Sequence, residues 1–91
     1  MLESNHDEDM LIHSGRPPEL IERILGRWGH LSNRQCAAAL RAILERARPG
    51  TVRTILLAHL SQECNLGELA LRECRRALAD SGHRPEVVLT Y

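Results

Sequence analysis

A histidine directly follows a mostly apolar segment in the middle of the chain. Residues 52–58 are mostly apolar with little alternation, the exceptions being Arg53 and Thr54, and His59 and Ser61 come next. Such a run is typical of a strand that is buried on both faces, as in a parallel sheet covered by helices. The carboxyl ends of such strands are where α/β proteins collect ligands and catalytic groups. His59 is therefore a candidate site residue.

A second histidine lies in the loop-like segment Gly29-His30-Leu31-Ser32-Asn33. Gly29 allows a close backbone approach or a positive φ, which would hold His30 at a fixed point. On spacing alone, an exposed histidine in an ordinary helix-entry loop is the simpler interpretation. Ser32 and Gln35 form a capping-box pattern, which predicts that a helix begins here.

A cluster of polar residues lies near the start of the sequence, directly after Met1 and Leu2. It contains Glu3, Asn5, His6, Asp7 and Asp9. These side chains could ligate a metal ion, but a solvated acidic segment is the simpler interpretation of their residue types.

Helices and strands alternate between these segments. Pro18 predicts the start of a short helix that ends at Gly26, and a longer helix runs from Ser32 to the stop at residues 48–50. After the strand that ends at His59, a second capping box is expected to start a helix. Its residues are Asn65 and Glu68, and a strand over residues 86–91 follows. Strand, helix and strand in this order predict a right-handed βαβ unit with parallel strands, and hence an α/β fold.

Composition narrows the class of protein. The 91 residues suffice for one domain, and 12 basic and 12 acidic side chains cancel, so net charge gives no long-range attraction to nucleic acid or membrane. The three cysteines lack C-x-x-C spacing, which favours reduced thiols in a cytoplasmic protein. No apolar stretch is long enough to span a membrane, and the acidic start is unlike a signal peptide.

Three motifs in this order carry a family resemblance: Glu3-Ser4-Asn5-His6-Asp7, Gly29-His30-Leu31-Ser32-Asn33 and Leu57-Ala58-His59-Leu60-Ser61. Together they resemble the carboxyl half of the metallo-β-lactamase-fold hydrolases, in the small branch that includes the YycJ/WalJ type and is similar to tRNase Z. The resemblance implies that residues 1–91 are a single partial domain. That domain would be the C-terminal half of an αββα sandwich, with the βαβ unit at its end.

The resemblance also implies a function, namely a phosphodiesterase or nuclease that acts on DNA or RNA with two divalent ions, zinc or manganese. His59 matches the last metal-binding histidine of the family. His30 matches the histidine that donates a proton to the leaving oxygen. Glu3 matches the glutamate that pairs with this histidine and keeps it protonated. It stays open whether cleavage is internal or proceeds from an end.

The chain departs from the family pattern as well. The signature His-x-His-x-Asp-His is absent, and Cys64 stands where the resemblance has asparagine. His6 and Asp7 lie in the motif without an assigned role. We therefore expect a C-terminal fragment that is inactive alone, binds metal weakly at most, lacks its N-terminal half as a partner and self-associates.

Two other functions are compatible with the sequence. One is a free-standing α/β interaction module, in which His30 and His59 are ordinary loop histidines. The other is a fragment of a metallo-hydrolase that acts on small esters, because a fold does not fix a substrate.

Overall fold

The computed structural model describes residues 1–91 and contains three parallel strands and four helices. In chain order the elements are β1 (Leu2–Glu3), α1 (Glu8–Ile12), α2 (Pro18–Leu25), α3 (Asn33–Arg46), β2 (Thr54–Ala58), α4 (Gly67–Leu78) and β3 (Glu86–Leu89). The sheet order is β1-β2-β3, and both neighbouring pairs are parallel. The α/β class and the parallel β2–α4–β3 unit predicted from the sequence are confirmed.

The core lies where α3 and α4 pack against each other and against the sheet. Alternate residues of β2, such as Ile55 and Leu57, enter it, and Leu57 is fully buried. Ten buried residues form this cluster: Cys36, Ala37, Leu40, Leu44, Ile55, Leu57, Leu60, Ala70, Cys74 and Ala77. Aliphatic and small side chains thus hold the sheet to its two long helices without an aromatic residue.

Local sequence signals explain where α2 and α3 begin. Pro18 occupies the first turn of α2, where its missing N–H costs nothing. At α3 the predicted capping box is present: the Ser32 hydroxyl accepts the Gln35 N–H, and the Gln35 side chain accepts the Ser32 N–H. Unlike α3, α2 buries none of its residues fully, so its apolar face is only partly covered within these 91 residues.

The predicted capping box at α4 is wrong. The N-cap residue is Leu66, and no side chain caps the helix. Asn65 is 2% exposed, and its amide group bonds instead to Ser4, Asn5 and Asn33. A buried tertiary contact therefore uses the amide that the local pattern assigned to capping.

The helix α1 was not predicted. Asp7 is its N-cap, and its carboxylate accepts the N–H of Met10 at 3.0 Å. Glu8 and Asp9 follow in the first turn, where negative charge is favourable. Part of the acidic segment is thus a helix start. None of the four helices is long and apolar enough to cross a membrane.

Candidate active site at the carboxyl edge of the sheet

The candidate site lies where β1 and β2 end side by side. Parallel pairing places Glu3 of β1 opposite Ala58 of β2, so His59 directly follows the residue that faces Glu3. The segment that carries His30 joins the same edge, because the Asn5 N–H donates to the Leu31 carbonyl at 2.9 Å. The sheet register and one loop hydrogen bond therefore bring three distant parts of the chain together.

Glu3 occupies the centre of this group. Its Oε2 atom lies 3.1 Å from Nδ1 of His59, and both carboxylate oxygens lie 3.2 Å from Nδ1 of His30. Its Oε1 atom also accepts the backbone N–H of Leu31 at 2.8 Å. The structure thus brings together all three residues that the sequence selected, while their chemical roles stay predictions.

The contacts fix which atoms donate. An ionised carboxylate only accepts, so His30 and His59 both donate from Nδ1. Neither Nε2 atom has a partner in the protein, and both rings are more than half exposed. Partial burial by itself would raise the pKa of Glu3, but hydrogen bonds from Leu31, His30 and His59 outweigh it, and the net pKa is lowered. The Glu3 carboxylate thus orients both imidazole rings, and each ring presents its Nε2 atom to solvent.

Backbone geometry fixes both histidines. His59 adopts φ +57°, a conformation uncommon outside glycine, and its carbonyl accepts the Asn5 side-chain amide at 2.8 Å. On the other side, Gly29 passes so close to the end of α2 that a Cβ atom there would lie 2.1 Å from the Ile24 carbonyl oxygen. Position 29, directly before His30, therefore accepts only glycine unless the loop rearranges.

Beneath these residues lies a buried polar cluster of Ser4, Asn33 and Asn65, each less than 5% exposed. The Ser4 hydroxyl donates to Oδ1 of Asn33 at 2.6 Å. Asn33 and Asn65 exchange two amide hydrogen bonds, of 2.7 and 2.9 Å. Sequence reasoning missed this cluster. The available signal was an asparagine three residues after His30 and another six residues after His59.

The structure places the unassigned motif residues below the surface or at a helix end. His6 is fully buried, its Nδ1 donates to Oδ1 of Asn5 at 3.2 Å, and its Nε2 has no partner. Cys64 is buried too, and its carbonyl accepts the Asp7 N–H at 2.9 Å. Neither His6 nor Cys64 faces the exposed edge where Glu3 lies.

These residues do not by themselves make a metal site. No group of three or more His, Cys, Asp or Glu side chains is placed to hold a metal ion. His59 has the arrangement of a single ligand, since one ring nitrogen is oriented by a carboxylate while the other is free. One ligand cannot hold a dinuclear centre.

The chain is similar to part of two longer bacterial enzymes. It is 34% identical over 82 residues to the exodeoxyribonuclease YycJ of Bacillus anthracis, an alignment that covers 90% of this chain and 30% of that protein. It is 39% identical over 70 residues to the exodeoxyribonuclease WalJ of Streptococcus pneumoniae, which covers 77% of this chain and 24% of that protein. No family model and no solved structure matches. The resemblance expected from the three motifs is confirmed: the chain is a relative of the YycJ/WalJ exodeoxyribonucleases and spans less than a third of their length.

Proposed function

We propose that this chain is the carboxyl-terminal part of a metallo-β-lactamase-fold hydrolase that cleaves phosphodiester bonds in nucleic acid. The observation that carries the proposal is the contact of one carboxylate, Glu3, with both His30 and His59 at the edge of a parallel sheet. The relatives are named exodeoxyribonucleases, which favours DNA as the substrate and cleavage from an end. The rest of the αββα sandwich would come from a part of the protein outside these residues.

In this proposal His30 is the proton donor. The Glu3 carboxylate accepts from its Nδ1, which orients the ring and leaves Nε2 directed away from that contact. A positioned imidazolium can give its proton to the oxygen that leaves phosphorus, a contribution of about 10²–10⁴-fold in rate. The Leu31 N–H holds the same carboxylate in place.

His59 is proposed to supply one ligand, through Nε2, to a pair of zinc or manganese ions in the complete protein. Such ions neutralise the attacking and leaving oxygens of an in-line displacement. Glu3 would orient His59 while it also contacts His30, so one side chain would serve both functions. Because the other ligands are absent from these residues, we expect the chain alone to be inactive and to bind metal weakly at most.

The test places the chain in a complete enzyme. The segment of Bacillus anthracis YycJ that aligns with this chain is replaced by residues 1–91, and end-labelled DNA is the substrate. We expect cleavage by the chimera and none by the isolated chain. His30→Ala in the chimera should lower the rate by about 10²–10⁴-fold.

His13→Ala is the matched control, because His13 is exposed at the end of α1 and contacts only its own helix. It should leave the rate unchanged. Full activity of the folded His30→Ala chimera would contradict the proposed role of His30, and cleavage by the isolated chain would contradict the need for a second part.

A further inference from the structure

We propose that Asn33 and Asn65 are positioning residues, whose paired amides hold Glu3 between His30 and His59. The inference gives a role to two buried side chains that do not touch the exposed edge. The role in catalysis that it implies rests on the proposed function, whereas the contacts that support it are independent of any activity.

The pair is reciprocal. Nδ2 of Asn33 donates to Oδ1 of Asn65 at 2.7 Å, and Nδ2 of Asn65 donates to Oδ1 of Asn33 at 2.9 Å. Two such bonds between planar amides fix both the separation and the orientation of the groups. Because Asn33 is the first residue of α3 and Asn65 precedes α4, the pair locks the starts of the two long helices together.

The same amides hold the backbone that follows Glu3. Asn65 donates to the carbonyls of Ser4 and Asn5 at 3.0 and 3.1 Å, and the Ser4 hydroxyl donates to Asn33 at 2.6 Å. The carbonyl of Asn5 also accepts the Ser61 N–H at 2.8 Å. Residues 4 and 5 are thus bound from both asparagines and from the segment after His59.

The loop of His30 is bonded to the same backbone segment, residues 5 and 6. The N–H of Asn33 donates to the His6 carbonyl at 2.8 Å, and the Leu31 carbonyl accepts the Asn5 N–H at 2.9 Å. Only Ser32 lies between Asn33 and Leu31, and the N–H of Leu31 binds the Glu3 carboxylate. A shift of either asparagine would therefore move His30 and Glu3 relative to each other.

Burial makes the arrangement specific. Asn33 is 4% exposed and Asn65 2% exposed, so water cannot replace a lost partner without a local rearrangement. A buried network in which each member satisfies the others favours one arrangement over its alternatives. An apolar pair of similar size would hold the helices together but would leave the carbonyls of Ser4 and Asn5 without the Asn65 donor.

The test measures the Leu31 N–H in the 91-residue chain by NMR hydrogen exchange, since this proton bonds to Glu3 at the edge. Asn65→Ala and Asn33→Ala should each speed its exchange at least about tenfold beyond the change at core amides such as that of Leu57. The Leu31 amide chemical shift should also move toward the value of an unbonded amide.

Leu44→Ala is the control for stability, because Leu44 lies in the core cluster, near the opposite end of α3 from Asn33. It should speed exchange at Leu31 and Leu57 alike. If the asparagine variants do the same as Leu44→Ala, the amides provide stability only and the proposal is overturned.

Ser4→Ala is the milder variant if the asparagine variants do not fold, since it removes the hydroxyl that bonds to Asn33 and leaves the asparagine pair in place. It should give a smaller but still selective loss at Leu31, and an unselective loss would overturn the proposal. None of these measurements is enzymatic. A chimera without nuclease activity would therefore not contradict the positioning role of the asparagines, and a failed exchange test would not contradict the proposed nuclease function.

Discussion

Oε2 of Glu3 and Nδ1 of His59 lie 3.1 Å apart although the two residues are 56 positions apart in the chain. The contact follows from sheet register, because Glu3 pairs with Ala58 across two parallel strands and His59 comes next. A strand of only two residues provides this pairing. The side chains of the candidate site therefore stabilise β1 at the same time as β1 positions them.

Replacing Glu3 with Gln should destabilise the fold. Glu3 accepts three N–H groups, from Leu31, His30 and His59, and the amide of Gln would present a donor to at least one of them. We expect Glu3→Gln to lower the free energy of unfolding by about 1–3 kcal/mol. Urea unfolding near neutral pH measures this. Glu45→Gln, at an exposed position of α3 without a side-chain partner, is the control and should change stability by less than about 0.5 kcal/mol.

The two long helices start differently, which predicts opposite effects at their caps. Ser32 caps α3 and is buried, so Ser32→Ala should cost about 0.5–2 kcal/mol of stability. Leu66 stands at the N-cap of α4 without a side-chain bond and is 54% exposed. Leu66→Ser should therefore raise the free energy of unfolding by about 1 kcal/mol. Thermal unfolding of both variants checks the signs, and a destabilised Leu66→Ser would show that Leu66 packs more than its exposure indicates.

Gly29→Ala should disturb the site although Gly29 has no side chain in it, because Gly29 directly precedes His30. The added Cβ would lie 2.1 Å from the Ile24 carbonyl oxygen and 2.4 Å from that of Arg23, so the loop must move. The N–H of His30 also donates to the Ile24 carbonyl, and this bond would be lost. We expect NMR shift changes that extend to the Glu3 and Leu31 amides.

Gly15→Ala is the control for Gly29→Ala. Gly15 has a positive φ of +79° but no atom within 4 Å of an added Cβ, so its substitution adds backbone strain without a clash. It should lower stability by about 1–2 kcal/mol and leave the amide signals of the site unchanged. Equal effects of both variants on the Glu3 amide would contradict the clash argument.

Sequence reasoning succeeded where one local signal decides the structure. Pro18 and the Ser32–Gln35 capping box mark the starts of α2 and α3, and the apolar run after residue 51 gives β2. It failed at Asn65, because an N-cap and a buried amide contact have the same sequence pattern. Only the three-dimensional position of Asn33 distinguishes them.

The candidate site shows the same limit. The positions of His30 and His59 at the ends of elements, together with the family resemblance, selected them from the sequence. Their shared contact with Glu3 depends on strand register between distant segments, which no local pattern encodes. Ser4 and Asn33 lie within the family motifs, but small polar residues near turns are common, so their residue types did not indicate a buried cluster.

The stability of the chain should fall as pH drops below about 6.5, because His6 is fully buried. Burial lowers the pKa of His6, and the nearby charge of Glu8 offsets this only in part. The unfolded state therefore binds a proton that the folded state does not, so the contribution is present above pH 6.5 and is lost as pH falls through the folded pKa. Urea unfolding at about pH 7.5 and at about pH 5.5 measures the loss, at up to about 1.4 kcal/mol per pH unit.

The control separates His6 from other groups. His6→Asn should give a smaller loss of stability between the two pH values than the unchanged chain, whereas exposed His13→Asn should not alter it. The lowered pKa of Glu3 acts below its ordinary value of 4.5 and thus outside this window. An unchanged pH slope in His6→Asn would show that His6 is not buried in neutral form.

The chain alone should self-associate, because α2 buries none of its residues. The apolar side of α2 includes Leu25, 39% exposed, and Trp28 shortly after the helix is 90% exposed. Uncovered apolar surface of this kind favours association. Sedimentation velocity should show a mass above 10.3 kDa that rises with concentration. Leu25→Glu should reduce it, whereas Ala42→Glu adds the same charge on an exposed part of α3 and should not. A monomer at every concentration, or equal effects of the two substitutions, would show that α2 is not the associating surface.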